Sequence, residues 1–150
     1  MKPPSTSIGQ AKPAPRVDKV VETSLYVEDV ARSMQFYQRL FSFQPLMHDE
    51  RFCAFNVAGR QVLLLFKKGA STEPIPLEGG VVPPHDGAGR LHLAFAISET
   101  EHDAWLARLR GLNIPVESQI RWMHGGRSMY FRDPDGHLLE LITPGCWEIY

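Results

Sequence analysis

Cysteine is scarce in this sequence: Cys53 and Cys146 are the only two among 150 residues. They lie far apart with no CxxC spacing, which excludes a zinc knuckle and a disulfide framework and leaves two free thiols suited to a reducing compartment. Charge of one sign is also lacking. Sixteen Lys and Arg stand against seventeen Asp and Glu, a formal net charge of −1, so no single-sign field would steer the chain to nucleic acid. No run approaches the roughly 20 consecutive apolar residues of a membrane span, and the opening MKPPSTSIGQAKPAPR lacks the apolar centre of a signal peptide. A cytoplasmic protein without nucleic-acid or membrane partners is expected. That opening holds Pro3, Pro4, Pro13 and Pro15 among small polar residues and reads as a flexible leader over 1–16. What remains, 17–150, has the composition of a globular domain, with 43% hydrophobic and 22% charged residues over the whole chain.

The domain repeats itself. KVVETSLYV reads as a strand ending at Val27, and the helix after it carries Val30, Met34, Tyr37 and Phe41 on its inner side, with Asp29 at the N-cap position. A short strand over 44–48 follows. FCAFNV and RQVLLLF, joined by Ala58-Gly59, then read as a hairpin. The second half runs in the same order: GRLHLAFAIS, the helical stretch ETEHDAWLARLRGLN stopped by Gly111 and Pro115, then PVESQIRW, RSMYFRD and GHLLELIT. The expected fold is α+β, two βαβββ modules with mixed sheets over about 17–68 and 89–145. A repeat present only twice suits two pseudo-symmetric halves facing each other across a cleft. The linker KKGASTEPIPLEGGVVPPHDGAG reads as a structureless loop, either a lid or a tether.

Polar residues on otherwise apolar strands mark the candidate site. Alternation puts Leu91, Leu93, Phe95 and Ile97 on one strand face and His92, Ala94 and Ala96 on the other, the pattern of a strand that lines a cavity. Glu140 is flanked by Leu138, Leu139, Leu141 and Ile142, and a buried carboxylate needs a cation, a donor cluster or a metal. Arg132 or Arg127 could supply that cation. Glu22 occupies the repeat position of His92, so a pseudo-twofold axis would let Glu22, His92 and Glu140 converge. Two carboxylates and an imidazole suit one divalent ion, Fe, Mn, Ni, Co or Zn. His124, beside Gly125-Gly126, falls on a hairpin turn that could face the cleft. His48, His85 and His102 read as solvated histidines.

The βαβββ repeat together with ETSLYVEDVARSMQFYQRLFSF, LHLAFAI and SMYFRDPDGHLLELITP resembles the vicinal oxygen chelate superfamily of glyoxalases, fosfomycin- and bleomycin-resistance proteins and extradiol dioxygenases. The resemblance implies a metal-containing cup in which Glu22, His92 and Glu140 are ligands, with Glu22 and Glu140 also candidate catalytic bases. Ser128 and Tyr130, matching the Ser-x-Tyr of fosfomycin-resistance strands, are implied substrate contacts with Arg132 and His124 beside them. Leu64 stands where glyoxalases carry a further carboxylate, and Glu22 where ring-cleaving relatives carry histidine. Lewis-acid lyase or isomerase chemistry on a small oxygenated substrate is therefore expected first. Thiol transfer to an epoxide, extradiol cleavage and metal-free ligand sequestration are the alternatives, and a homodimer is implied.

Overall fold

The structure is a computed structural model that describes residues 14–150. Most of the leader read over 1–16 thus lies outside the described residues. The first half contains β1 (Glu22–Val27), α1 (Val30–Phe41), β2 (Gln44–His48), β3 (Phe52–Val57) and β4 (Gln61–Lys67). After a hairpin of β5 (Ile75–Leu77) and β6 (Gly80–Val82) come β7 (His92–Ala96), α2 (His102–Gly111), β8 (Ser118–Arg121), β9 (Arg127–Arg132) and β10 (Leu138–Ile142). The first sheet has the order β1-β4-β3-β2 and the second β7-β10-β9-β8, so the two halves share one topology. In each, the first strand pairs parallel with the last and the remaining neighbours are antiparallel. Both sheets are mixed, as the repeat predicts.

Local signals set these elements. Asp29 caps α1 by accepting the Arg32 N–H at 2.9 Å, and Ser42 ends it in the left-handed region at φ 58°. Ala58 and Gly59, with φ of 53° and 68°, make the turn between β3 and β4, where the Asn56 side chain accepts the Gly59 N–H. The linker is not structureless, because Ile75-Pro76-Leu77 and Gly80-Val81-Val82 pair around the Glu78-Gly79 turn. Its two short β-rich runs flank a turn pair, a hairpin signal masked by the surrounding prolines and glycines. The second helical stretch opens with one 3₁₀ turn at Glu99–Glu101 before α2. Two histidines read as solvated are not: His102 is buried against Asp103, and His85 packs on Phe66 and bonds the Tyr26 hydroxyl at 2.9 Å.

One core serves both halves. Leu25, Val27, Phe55, Leu63 and Leu65 of the first sheet join Met129, Phe131, Leu139 and Leu141 of the second in a single buried cluster. Phe41 of α1 bridges them, its ring centroid 4.7 Å from Phe95 and 5.6 Å from Trp105. The helix-covered faces of the two sheets therefore meet inside the chain. By strand alternation, the faces carrying Glu22 and His92 are turned away from that shared core. No helix among the described residues is long and apolar enough to cross a membrane.

Candidate metal centre

The parallel register of β7 and β10 sets His92 beside Leu138 and Ala94 beside Glu140, so His92 and Glu140 are diagonal neighbours on one face. The His92 Nδ1 lies 3.1 Å from the Leu138 carbonyl oxygen. A carbonyl only accepts, so this bond places a proton on Nδ1 and turns Nε2 toward the Glu140 carboxylate. Nε2 and Oε2 are 3.2 Å apart. Glu140 is only 5% exposed, and its other oxygen accepts the Tyr130 hydroxyl at 2.9 Å. Burial, and then the bonded Glu140, push the Tyr130 phenol up from its ordinary value, which keeps it a donor. Tyr130 stands directly across from Glu140 in the antiparallel register of β9 and β10. Ser128, fully buried on the same face, accepts the Trp122 indole N–H at 2.7 Å.

His92, Tyr130 and Glu140 open into a cavity of about 510 Å³ that also touches Trp122 and residues after β10, whereas the buried Ser128 does not line it. Neither arginine offered as a structural partner reaches Glu140. Arg132 pairs with Glu117 at 3.1 Å and donates to the Gly136 carbonyl, while Arg127 donates to the Glu99 carbonyl and lies 3.7 Å from Asp103. A buried carboxylate thus faces an imidazole nitrogen with no fixed cation nearby. The His92 Nε2 and a Glu140 oxygen are an imidazole nitrogen and a carboxylate oxygen side by side, atom types that a borderline divalent ion takes as ligands. The Leu138 carbonyl supplies the outer hydrogen bond that usually orients a ligating histidine.

Of the residues singled out in the sequence, the structure brings His92, Glu140, Tyr130 and Ser128 to one face. It does not bring Glu22, which is exposed at the start of β1 in the other sheet. Within one chain Glu22 stands apart from His92 and Glu140: among the described residues, no three His, Cys, Asp or Glu side chains cluster as metal ligands. The physical reason is the shared core, which joins the two sheets through their helix-covered faces. Arg132 is committed to Glu117, and His124 is exposed on the β8–β9 turn; neither lines the cavity. Cys146, Trp147 and Tyr150, which do line it, follow the last strand and carry no periodic signal in the sequence, where only Gly145 hints at a chain reversal.

The fold, two βαβββ halves with a polar pair on the paired first and last strands, defines a class that the comparisons specify. Residues 17–141 match the model of the Glyoxalase/Bleomycin resistance protein/Dioxygenase superfamily, and the chain belongs to this family. A metallothiol transferase FosB from Shouchella clausii is 29% identical over 129 residues, 85% of this chain and 81% of the relative. The crystal structure of a lactoylglutathione lyase from Agrobacterium tumefaciens is 31% identical and superposes with a TM-score of 0.80 over 88% of this chain and 98% of that one. The fosfomycin resistance protein FosX from Listeria monocytogenes, crystallised with Mn(II) and sulfate ion, shares the fold at 24% identity, with a TM-score of 0.63 over 85% of this chain and 91% of that one.

Proposed function

We propose that this protein is a divalent-metal-dependent enzyme acting on a small oxygenated molecule, with His92 and Glu140 of one copy and Glu22 of a second copy holding the ion in a homodimer. The observation that carries this reading is the 3.2 Å approach of His92 Nε2 to the buried Glu140 carboxylate, with the His92 proton held on Nδ1. Glu22 shares neither the cavity nor a side-chain contact with this pair, so a third ligand has to come from outside the chain. The exposed Glu22 of a twofold partner supplies one without disturbing either core. A bound divalent ion supplies Lewis acidity toward a substrate oxygen.

The residues around it have separable tasks. Tyr130 steers one Glu140 oxygen and, as a protonated phenol, can donate to a substrate oxygen when that bond is exchanged. Glu140 and Glu22 are carboxylates able to take a proton from carbon next to a carbonyl, which favours lyase or isomerase chemistry. The buried Ser128 hydroxyl accepts the Trp122 indole N–H and so anchors that side chain at the cavity wall. The identity of the lactoylglutathione lyase supports this order of readings. Thiol transfer to an epoxide is the second reading, supported by the FosB relative and by the Ser128 and Tyr130 pair.

The test is metal uptake by the purified full chain, followed by activity with each ion on the hemithioacetal of methylglyoxal, on fosfomycin with thiols, and on catechols. Uptake of about one ion per chain with turnover of the hemithioacetal or the epoxide is expected. Absence of tight divalent binding near neutral pH would overturn the reading. Catechol cleavage with Fe(II) would overturn the order of chemistries, because a third ligand that is carboxylate rather than imidazole departs from the triad of iron oxygenases.

A further inference from the structure

The cavity that holds His92, Tyr130 and Glu140 has a second end that is apolar. Ala94 and Ala96 of β7, with Ile142 of β10, form its floor, and Trp122, Trp147 and Tyr150 form its wall. Alanines on an exposed strand face leave room that larger residues would fill. At about 510 Å³ the space lies within the usual range for ligand pockets and exceeds what a three-carbon oxygenated head requires.

The wall is built into the fold. The Tyr150 hydroxyl lies 3.2 Å from the carbonyl oxygens of both Ile97 and Ile142, so it is tied to the ends of β7 and β10 together. The N–H groups of Gly145 and Trp147 donate to the Tyr150 carbonyl at 2.9 and 3.3 Å, and the Tyr150 N–H returns to the Trp147 carbonyl at 3.0 Å. Gly145 has φ 101°, and a Cβ there would stand 2.7 Å from the Gly126 nitrogen, so only glycine lets this segment lie against the β8–β9 turn. On the other side, the Trp122 indole is anchored to Ser128. The Trp122 indole and the Tyr150 ring are thus held beside a small-residue floor, with Trp147 at its rim. In the single chain Trp147 is 69% exposed, a large apolar surface beside a polar site.

We propose that this end is a subsite for the apolar tail of the substrate, an aromatic or branched aliphatic group carried on the oxygenated head that His92 and Glu140 serve. The inference rests on the metal-dependent reading above and adds to it the chemical class of the substituent. A flat or branched tail would lie over Ala94 and Ala96 and exchange water for aromatic contact on both sides. The polar end fixes the head, and the aromatic wall selects among heads of equal chemistry.

The experiment compares two probes with one chelating head and different tails, acetohydroxamate and benzohydroxamate, on the full chain loaded with Mn(II) or Co(II). Affinity is read by calorimetry and by quenching of tryptophan fluorescence. Benzohydroxamate is expected to bind at least about tenfold more tightly, the scale on which apolar pockets discriminate. Trp147→Ala, at an exposed position that folding tolerates, and Ala96→Phe, which fills the floor, should each narrow the ratio to within about threefold. Equal affinities for the two probes on an ion-loaded chain overturn the subsite and leave the metal reading standing. A Trp147→Ala variant that dissociates the dimer and weakens both probes alike assigns that side chain to an interface and also overturns it. Failure of the chain to take up any divalent ion overturns the metal reading and this inference together.

Discussion

The Tyr37 hydroxyl in the first half donates a 3.0 Å hydrogen bond to the buried Asp133 carboxylate in the second, 96 positions further along the chain. The other Asp133 oxygen accepts the N–H groups of Asp135 and His137 at 3.0 and 2.8 Å, which shapes the Asp-Pro-Asp-Gly turn before β10. His137, fully buried, accepts the Leu91 N–H on Nδ1 and donates from Nε2 to the Tyr26 carbonyl at 2.8 Å. The turn that sets the register of Glu140 is therefore bolted to the first half. Burial, and then the Asp133 charge, push the Tyr37 phenol well up, so it stays a donor throughout the accessible pH range.

Tyr37→Phe removes that donor and leaves the Asp133 oxygen buried with nothing in its place. The expected loss is about 1–3 kcal/mol, the cost of leaving a buried acceptor unpaired. Denaturant unfolding should show a lower midpoint with an unchanged slope, since the surface exposed on unfolding is the same. A midpoint equal to that of the parent would remove the bolt from the account of stability.

Asp135 makes the acid side of the stability curve testable. Burial pushes its carboxyl up, but the Glu28 N–H, the Ser33 hydroxyl and the Arg32 guanidinium outweigh burial and hold it below the usual carboxylate range. A depressed folded-state pKa gives stability that is present above the unfolded value of about 4 and lost as pH falls through the folded one. Asp135→Asn should therefore cost about 2 kcal/mol at pH 7, the scale of hydrogen bonds to a charged group, with the deficit shrinking below about pH 4. Asp133 carries the opposite sign. Its carboxyl is pushed up by burial, so its own titration raises stability as pH falls through the carboxylate range. Unfolding curves of Asp135→Asn and the parent that stay parallel from pH 7 to pH 3 would contradict the assignment.

Most of the fold was legible because both sheets are half-buried and the chain writes its alternation plainly. Leu25, Leu63, Leu65, Leu139 and Leu141 are all in the core where period two puts them. Glu140 was legible as buried for a different reason, because Leu138 and Ile142 flank it on its own face and Leu139 and Leu141 on the other. What the pattern could not carry was the direction in which whole sheets face. Alternation tells that Glu22 and His92 lie opposite Leu25 and Leu93 on their strands, but not whether the two polar faces look at each other. That choice depends on Phe41 packing against Phe95 and Trp105 across the halves, a contact with no local signature. His102 and His85 carry no sequence signal of burial, because isolated histidines have no periodicity and their surroundings are set by Asp103, Tyr26 and Phe66.

If His92 and Glu140 hold the ion as proposed, they should differ from their neighbours in what they control. Glu140→Gln and His92→Ala each remove a donor atom and should abolish tight divalent binding in calorimetry. Tyr130→Phe removes only the hydrogen bond that steers Glu140 and should weaken binding by about 10- to 100-fold, the usual effect of an outer-shell partner. Arg132→Ala, whose side chain pairs with Glu117 away from the cavity, should leave metal affinity within about threefold of the parent. An Arg132 variant as damaged as Glu140→Gln would show that the cavity has been drawn around the wrong residues.

A site shared between copies predicts rescue in trans. Glu22→Ala lacks the ligand given to the partner, and Glu140→Ala lacks the ligand kept for itself, so each homodimer alone should bind no ion tightly. When the two variants are unfolded together and refolded, random pairing makes half of the dimers mixed. Each mixed dimer then holds one complete site, Glu22 from one copy with His92 and Glu140 from the other, and one site missing both carboxylates. Metal uptake should return to about a quarter of the parent value by this isologous arithmetic. A site confined to one chain gives no return at all, since every chain in the mixture then lacks a ligand. The separation supports the first outcome: Glu22 is exposed on a sheet face turned from the core, and the His92 and Glu140 pair lies on another such face. Sedimentation of the refolded mixture as dimers, with uptake still at zero, would place the third ligand elsewhere than Glu22.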